Sequence, residues 1–169
     1  PRNVTHGFID EIKDVDFKKT RPVCVFVNAD KSFINSSIKS FENPIIQFHG
    51  DESEDFCKSL GHEFWKALRV KDSKSLEDIK LFNSAEAILF DTFKEGMFGG
   101  TGSSFDWRIL NSDLLLEKKI IISGGLSIEN LENALKINPW CLDFNSGVES
   151  APGFKDHSKI TKILSLIEK

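Results

Sequence analysis

Six short apolar runs divide this chain at intervals that few folds accept. They are residues 22–27 (PVCVFV), 45–48 (IIQF), 63–70 (EFWKALRV), 87–90 (AILF), 119–122 (KIII) and 141–144 (CLDF), with starts 18 to 32 residues apart. Most are rich in β-branched or aromatic residues and nearly continuous, the pattern of strands covered on both faces. Between and after them lie stretches of helical period at 33–41, 54–60, 75–82, 106–116, 128–137 and 157–169. The last carries Ile160, Ile163, Leu164 and Ile167 on one face. Such alternation predicts an α/β fold in which right-handed βα units feed a parallel sheet. No low-complexity linker interrupts the 169 residues, so one domain over 1–169 is expected.

The ends of these runs share a habit. Asn28, His49-Gly50, Asp91-Thr92, Gly124-Gly125 and Ser146-Gly147 gather polar or small residues where βα barrels and open α/β sheets both place their sites. A closed barrel of this type has eight strands, and only six runs are present. The chain opens on Pro1-Arg2-Asn3 and passes directly into a predicted helix over 4–15, with no strand before it. The residues therefore leave two architectures open, an open sheet or a barrel without its first two strands.

The two small-residue turns carry the first functional signal. A turn of Gly124-Gly125 or Ser146-Gly147 type leaves backbone N–H groups uncovered, and a helix is predicted just after the first. Uncovered N–H groups beside a helix N-terminus hold phosphate well. Two such turns on successive strands suggest one phosphate gripped from two sides, hence a phosphorylated small molecule; plain tight turns are the alternative. Asp91 ends its strand beside a glycine-rich loop with Gly99, Gly100 and Gly102, after which Asp106 is placed to open a helix. A carboxyl so placed suits a general acid or base, and equally suits a cap on the following turn.

Other properties exclude partners. A net charge of −4 and scattered lysines argue against nucleic acid. No apolar run approaches the roughly 20 residues of a membrane span, and no signal peptide opens the sequence. Cys24, Cys57 and Cys141 form no CxxC pair, which fits free thiols in a reduced, cytoplasmic protein and no metal site.

Four segments, QFHGDES at 47–53, LFDTFKEGMFGGTGSSFDW at 89–107, ISGGLSIENL at 122–131 and DFNSGVESAPGFKD at 143–156, resemble successive motifs of phosphoribosylanthranilate isomerase, in order and at fitting spacing. The resemblance implies a (β/α)8 TIM barrel of tryptophan biosynthesis, of which this chain would supply strands 3 to 8 and the helix before them. It implies an Amadori rearrangement of N-(5′-phosphoribosyl)anthranilate to 1-(2-carboxyphenylamino)-1-deoxyribulose 5-phosphate, with no metal or organic cofactor. Asp91 would be the general acid that protonates the furanose oxygen. Arg2 would pair with the anthranilate carboxylate, fork to fork. Phosphate would sit on Gly124, Gly125, Ser146 and Gly147. Asp143 would orient sugar hydroxyls, and His49 would serve as a substrate contact or a packing group. A monomer or homodimer is expected.

One departure stands out. The family's general base is a cysteine in a Lys-Ile-Cys-Gly motif, which these residues do not contain. Cys24 and Cys141 fall at or near strand beginnings and Cys57 in a helix, so none is placed to replace it. Three accounts follow: part of a longer enzyme, a truncated chain whose third and last strands have unpaired edges, or a non-catalytic phosphate-binding relative that completes its sheet with another chain. A different phosphate-binding TIM-barrel enzyme is a further alternative; such relatives place Lys or Glu at strand ends.

Overall fold

Six parallel strands hydrogen-bond in strict chain order in the computed structural model of the protein, which describes residues 2–12, 14–92, 107–110 and 118–168. They are β1 (Val23–Phe26), β2 (Ile45–Phe48), β3 (Phe64–Val70), β4 (Ala87–Thr92), β5 (Lys119–Ile122) and β6 (Cys141–Leu142). Every neighbouring pair is parallel, with β1 and β6 at the two edges of a curled sheet, as the βα spacing predicts. Asn28, His49, Asp91, Gly124 and Ser146 all fall at or beyond the C-terminal ends of their strands. The glycine-rich loop, Asp106 and most of the helix expected over 106–116 lie outside the described residues; Trp107–Leu110 forms one turn of 3-10 helix.

Strand parity separates two cores. Ile46, Phe48, Phe64, Leu68, Ile88, Phe90 and Ile122 point to the helical layer, where Ile34 and Ile38 of α2 (Lys31–Ile38), Cys57 of α3 (Glu54–Ser59) and Ala134 of α4 (Leu131–Leu135) cover them. The alternate residues Ile45, Trp65, Ala67, Ala87, Leu89 and Ile121 form a second cluster on the concave face. Above that floor, the same parity brings Gln47, His49, Asp91, Ser123 and Asp143 onto the concave face at the C-terminal rim. On β1 the concave-face Val25 is 55% exposed.

Several elements differ from expectation for physical reasons. The opening helix α1 covers only His6–Ile12 of the expected 4–15. Residues 73–81 form a 3-10 helix closed by an Asp72–Ser75 capping box, since tight side-chain bonds to Lys74 and Ser75 favour the narrower turn. The helix expected immediately after Gly124-Gly125 begins only at Leu131. Asn130 explains the delay: its Oδ1 accepts from Ser127 N at 2.9 Å and its Nδ2 donates to Gly125 O at 2.8 Å, folding the intervening residues into a side-chain-bonded turn. The last strand stops at Leu142, although Asp143 N still donates to Ile122 O at 2.8 Å. After it, Ser146–Val148 makes a 3-10 turn, then an antiparallel hairpin of β7 (Glu149–Ala151) and β8 (Phe154–Lys155) leads into α5 (His157–Ile167).

Candidate active site

Two pairs of side chains define the rim. His49 Nε2 lies 2.9 Å from Asp91 Oδ2, and Gln47 Nε2 lies 3.2 Å from His49 Nδ1. A Gln amide nitrogen can only donate, so this arrangement makes Nδ1 an acceptor. Nε2 then carries the hydrogen that is donated to Asp91 Oδ2. Beside them, Ser123 Oγ donates to Asp143 Oδ2 at 2.9 Å. Burial pushes the Asp143 carboxyl above its ordinary range; the Ser123 hydrogen bond and the nearby His49 oppose this, and the negative charge of Asp91 adds to it.

The two small-residue turns touch. Gly124 and Gly125 both adopt left-handed backbone, at φ 78° and 70°. A Cβ on Gly147 would fall 1.8 Å from the Leu126 carbonyl oxygen, so the loop after β6 is pressed against the backbone of the loop after β5. Gly124, Gly125 and Ser146 line the concavity, and Gly147 braces that wall against the Leu126 backbone. The helix N-terminus expected to assist them is absent from that wall, because the intervening turn holds α4 six residues further on.

Arg2 reaches this rim from the start of the chain, ahead of β1. Its Nε and Nη2 donate to Glu149 Oε1 and Oε2 at 2.9 and 2.6 Å, a bidentate pair formed from the start of the chain to the hairpin after β6. Lys155 Nζ adds a third bond to Glu149 Oε1 at 2.9 Å. The Arg2 hydrogen bonds foremost, then Lys155, hold the Glu149 carboxyl down to about 2. Arg2 is thus already docked on a protein carboxylate, which leaves Nη1 without a hydrogen bond among the described residues. Arg2, His49, Asp91, Gly124, Asp143 and Ser146 all line one concavity of about 1230 Å³.

The sequence model of the family described as N-(5′-phosphoribosyl)anthranilate (PRA) isomerase matches residues 1–165. The chain belongs to the PRA isomerase family. A relative of that name from Thiobacillus denitrificans is 38% identical over 145 residues, 85% of this chain and 70% of the relative. Another, from Legionella pneumophila strain Paris, is 37% identical over 147 residues, 86% of this chain and 70% of its own length. The crystal structure of the Thermotoga maritima PRA isomerase superposes with a TM-score of 0.85 at 26% identity, covering 98% of this chain and 81% of that one. A PRA isomerase structure in complex with reduced 1-(o-carboxyphenylamino)-1-deoxyribulose 5-phosphate gives 0.77 at 26% identity, over 96% and 78% of the two chains.

PRA isomerases are isomerases of tryptophan biosynthesis built as (β/α)8 barrels, and the six-stranded sheet here is part of such a barrel. None of the three thiols is poised as a base. Burial raises Cys24 and Cys141, and pushes Cys57 up to about 12. Cys24 and Cys57 pack in the helical layer, and Cys141 joins the concave floor two residues before Asp143. Among the described residues, no cluster of three or more His, Cys, Asp or Glu could hold a metal, and no helix is long and apolar enough to cross a membrane.

Four residues of the rim were not anticipated from the sequence. Ser123 carried a usable signal, since it follows KIII with the parity that faces Asp91 and Asp143. Gln47 carried the same signal on β2, two residues before His49. Glu149 and Lys155 carried none, because a hairpin of two- and three-residue strands has too few positions to show a period.

Proposed function

We propose that this chain supplies the PRA isomerase reaction with Asp91 as general acid and with one rim that binds the substrate at three points. The observation that carries the reading is the convergence on a single concavity of the His49–Asp91 pair, the Ser123–Asp143 pair and the two touching glycine turns. The phosphate sits on the backbone of Gly124, Gly125, Ser146 and Gly147. The anthranilate carboxylate takes the edge of Arg2 that Glu149 leaves open. Asp91 delivers its proton to the furanose oxygen, and the ring opens to an imine. Asp143 faces the sugar hydroxyls, its raised pKa letting it share a proton with them.

The sugar C2 proton goes to a base that residues 1–169 do not supply. Burial raises the thiols of Cys24, Cys57 and Cys141; the first two lie in the helical layer and the third on the concave floor. This chain therefore provides the acid and the binding wall, and full turnover needs the Lys-Ile-Cys-Gly cysteine that the family resemblance implies. The working unit is one barrel domain containing residues 1–169, cytoplasmic, and monomeric or homodimeric.

The test pairs turnover with binding. Turnover of N-(5′-phosphoribosyl)anthranilate and calorimetric binding of the reduced product analogue are measured for the chain completed with the Lys-Ile-Cys-Gly strand segment and for the same chain carrying Asp91→Asn. Loss of roughly 10²- to 10⁴-fold in turnover with binding intact supports Asp91 as the acid. Undiminished turnover in the variant removes it. Binding of the analogue without turnover, even with the missing segment supplied, favours the non-catalytic reading.

A further inference from the structure

We propose that Glu52 and Lys66, an ion pair buried in the helical layer on the far side of the sheet, position His49 against Asp91. The proposal rests on the His49–Asp91 pair being part of the substrate site. Both charged side chains are only 3% exposed, and neither faces the concavity. Lys66 enters from β3, in register with Phe48, the residue before His49. Its Nζ donates to Gly50 O at 2.6 Å and to Glu52 Oε2 at 2.9 Å. The Phe82 ring closes over it at 5.3 Å.

Glu52 receives the rest of the cluster. Its Oε2 also accepts from Gly50 N at 2.9 Å, and its Oε1 accepts from Asn28 N at 2.7 Å. The Gly50 peptide groups are therefore pinned on both sides, the N–H by Glu52 and the C=O by Lys66. Asn28 completes the enclosure: it holds left-handed backbone at φ 51°, and its Oδ1 accepts from Asp51 N at 2.7 Å. A Cβ on Gly50 would fall 2.4 Å from that Oδ1, so the backbone has no room to slide. On the other side, His49 N donates to Phe26 O at 2.8 Å. With both flanking peptides fixed, the His49 Cα–Cβ vector can point only at the concave rim.

A clamp of this kind suits a charged pair better than an apolar one. One carboxylate must accept three donors on two loops, and one ammonium must reach a backbone carbonyl and that carboxylate together. A neutral Gln at 52 has one acceptor oxygen and turns an NH2 toward other donors. It cannot hold Asn28, Gly50 and Lys66 at once.

The experiment reads the imidazole directly. Side-chain ¹⁵N NMR of the native chain reports the His49 tautomer and the exchange of its Nε2 proton with water. Glu52→Gln is compared with it, alongside the double variant Glu52→Gln/Lys66→Met, which buries no charge and so is the form best able to fold. Ile163→Ala, a core truncation far from the clamp, controls for lost stability. The expected result is Nε2 exchange about tenfold faster in both clamp variants, the factor one ordinary intramolecular hydrogen bond is worth, and unchanged in the control. A pair that only stabilises the fold would lower the unfolding midpoint and leave His49 exchange as in the native chain; that outcome overturns the proposal. A native His49 lacking a protected Nε2–H overturns the His49–Asp91 reading itself, and the two failures are distinguishable because only the second appears without any substitution.

Discussion

Gly147→Ala tests the phosphate wall most directly. The added Cβ would sit 1.8 Å from Leu126 O, 2.9 Å from its carbonyl carbon and 3.1 Å from Ser127 Cα, where ordinary contact begins near 3.4 Å. All three atoms are backbone, so no side chain can swing away to make room. One loop must retreat by roughly 1.6 Å, half the length of an N–H···O hydrogen bond. Overpacking of this kind costs about 1–3 kcal/mol of stability. The functional loss is larger in proportion, because N–H groups on the two loops no longer converge. Hydrogen bonds to a charged group contribute about 1.5–3 kcal/mol each, so separating the turns weakens phosphate-ester binding by roughly 10- to 100-fold. Gly61→Ala is the control. Gly61 has φ +70° and nothing within 4 Å of an added Cβ, so alanine there carries backbone strain of about 1–2 kcal/mol and touches no part of the rim. Calorimetric titration with the reduced product analogue, beside urea unfolding, separates the two effects. If Gly147→Ala binds as tightly as Gly61→Ala at equal loss of stability, the wall is not the phosphate site.

Three further outcomes follow from the charged groups. Glu149 is held down to about 2 from an ordinary 4.5, so its contribution to stability is fully present above pH 4.5 and is lost as pH falls toward 2; Arg2→Met should move the acid-unfolding midpoint, followed by circular dichroism, to higher pH. Asp143 is shifted the other way by burial, so its ionisation costs the folded state; Asp143→Asn should gain stability above pH 4, increasingly as pH rises through the native titration, and gain nothing below it. Lys66→Met alone leaves Glu52 buried and unpaired, which costs about 3–5 kcal/mol in urea unfolding, while adding Glu52→Gln should recover much of that loss.

Strand order and the concave rim were legible in the sequence because both follow from period. A continuous apolar run marks a strand, and alternation beyond its end decides which residues face inward. His49, Asp91 and Asp143 could be placed at the rim on that basis. The helix within 128–137 was legible but its start was not, since Asn130 competes for the backbone through its own side chain and that choice depends on local geometry. Glu52 looked like a loop residue in HGDES. Its burial depends on Lys66, fourteen residues away on a strand whose other outward residues are apolar, and no local pattern joins the two. The pairing of Arg2 with Glu149 spans almost the whole chain, beyond the reach of any spacing rule.

That long-range pair gives the rim its most distinctive property. Arg2 lies near the start of the chain and Glu149 in the hairpin after β6, so a bidentate ion pair ties the segment before β1 to that hairpin at the rim itself. The phosphate wall belongs to the loops after β5 and β6, and the carboxylate clamp to the Arg2 segment. A ligand that carries both anionic groups bridges the same two parts of the chain, and its binding energy adds to the Arg2–Glu149 contact. A ligand with phosphate alone engages the loops only. By linkage, a ligand that binds the folded state stabilises it in proportion to the logarithm of its concentration over Kd. The bridging ligand should therefore raise the unfolding midpoint further than inorganic phosphate at the same multiple of Kd only if the Arg2 segment detaches before the sheet opens. Equal shifts at matched saturation would mean that the six strands and the Arg2 segment unfold together as one cooperative unit.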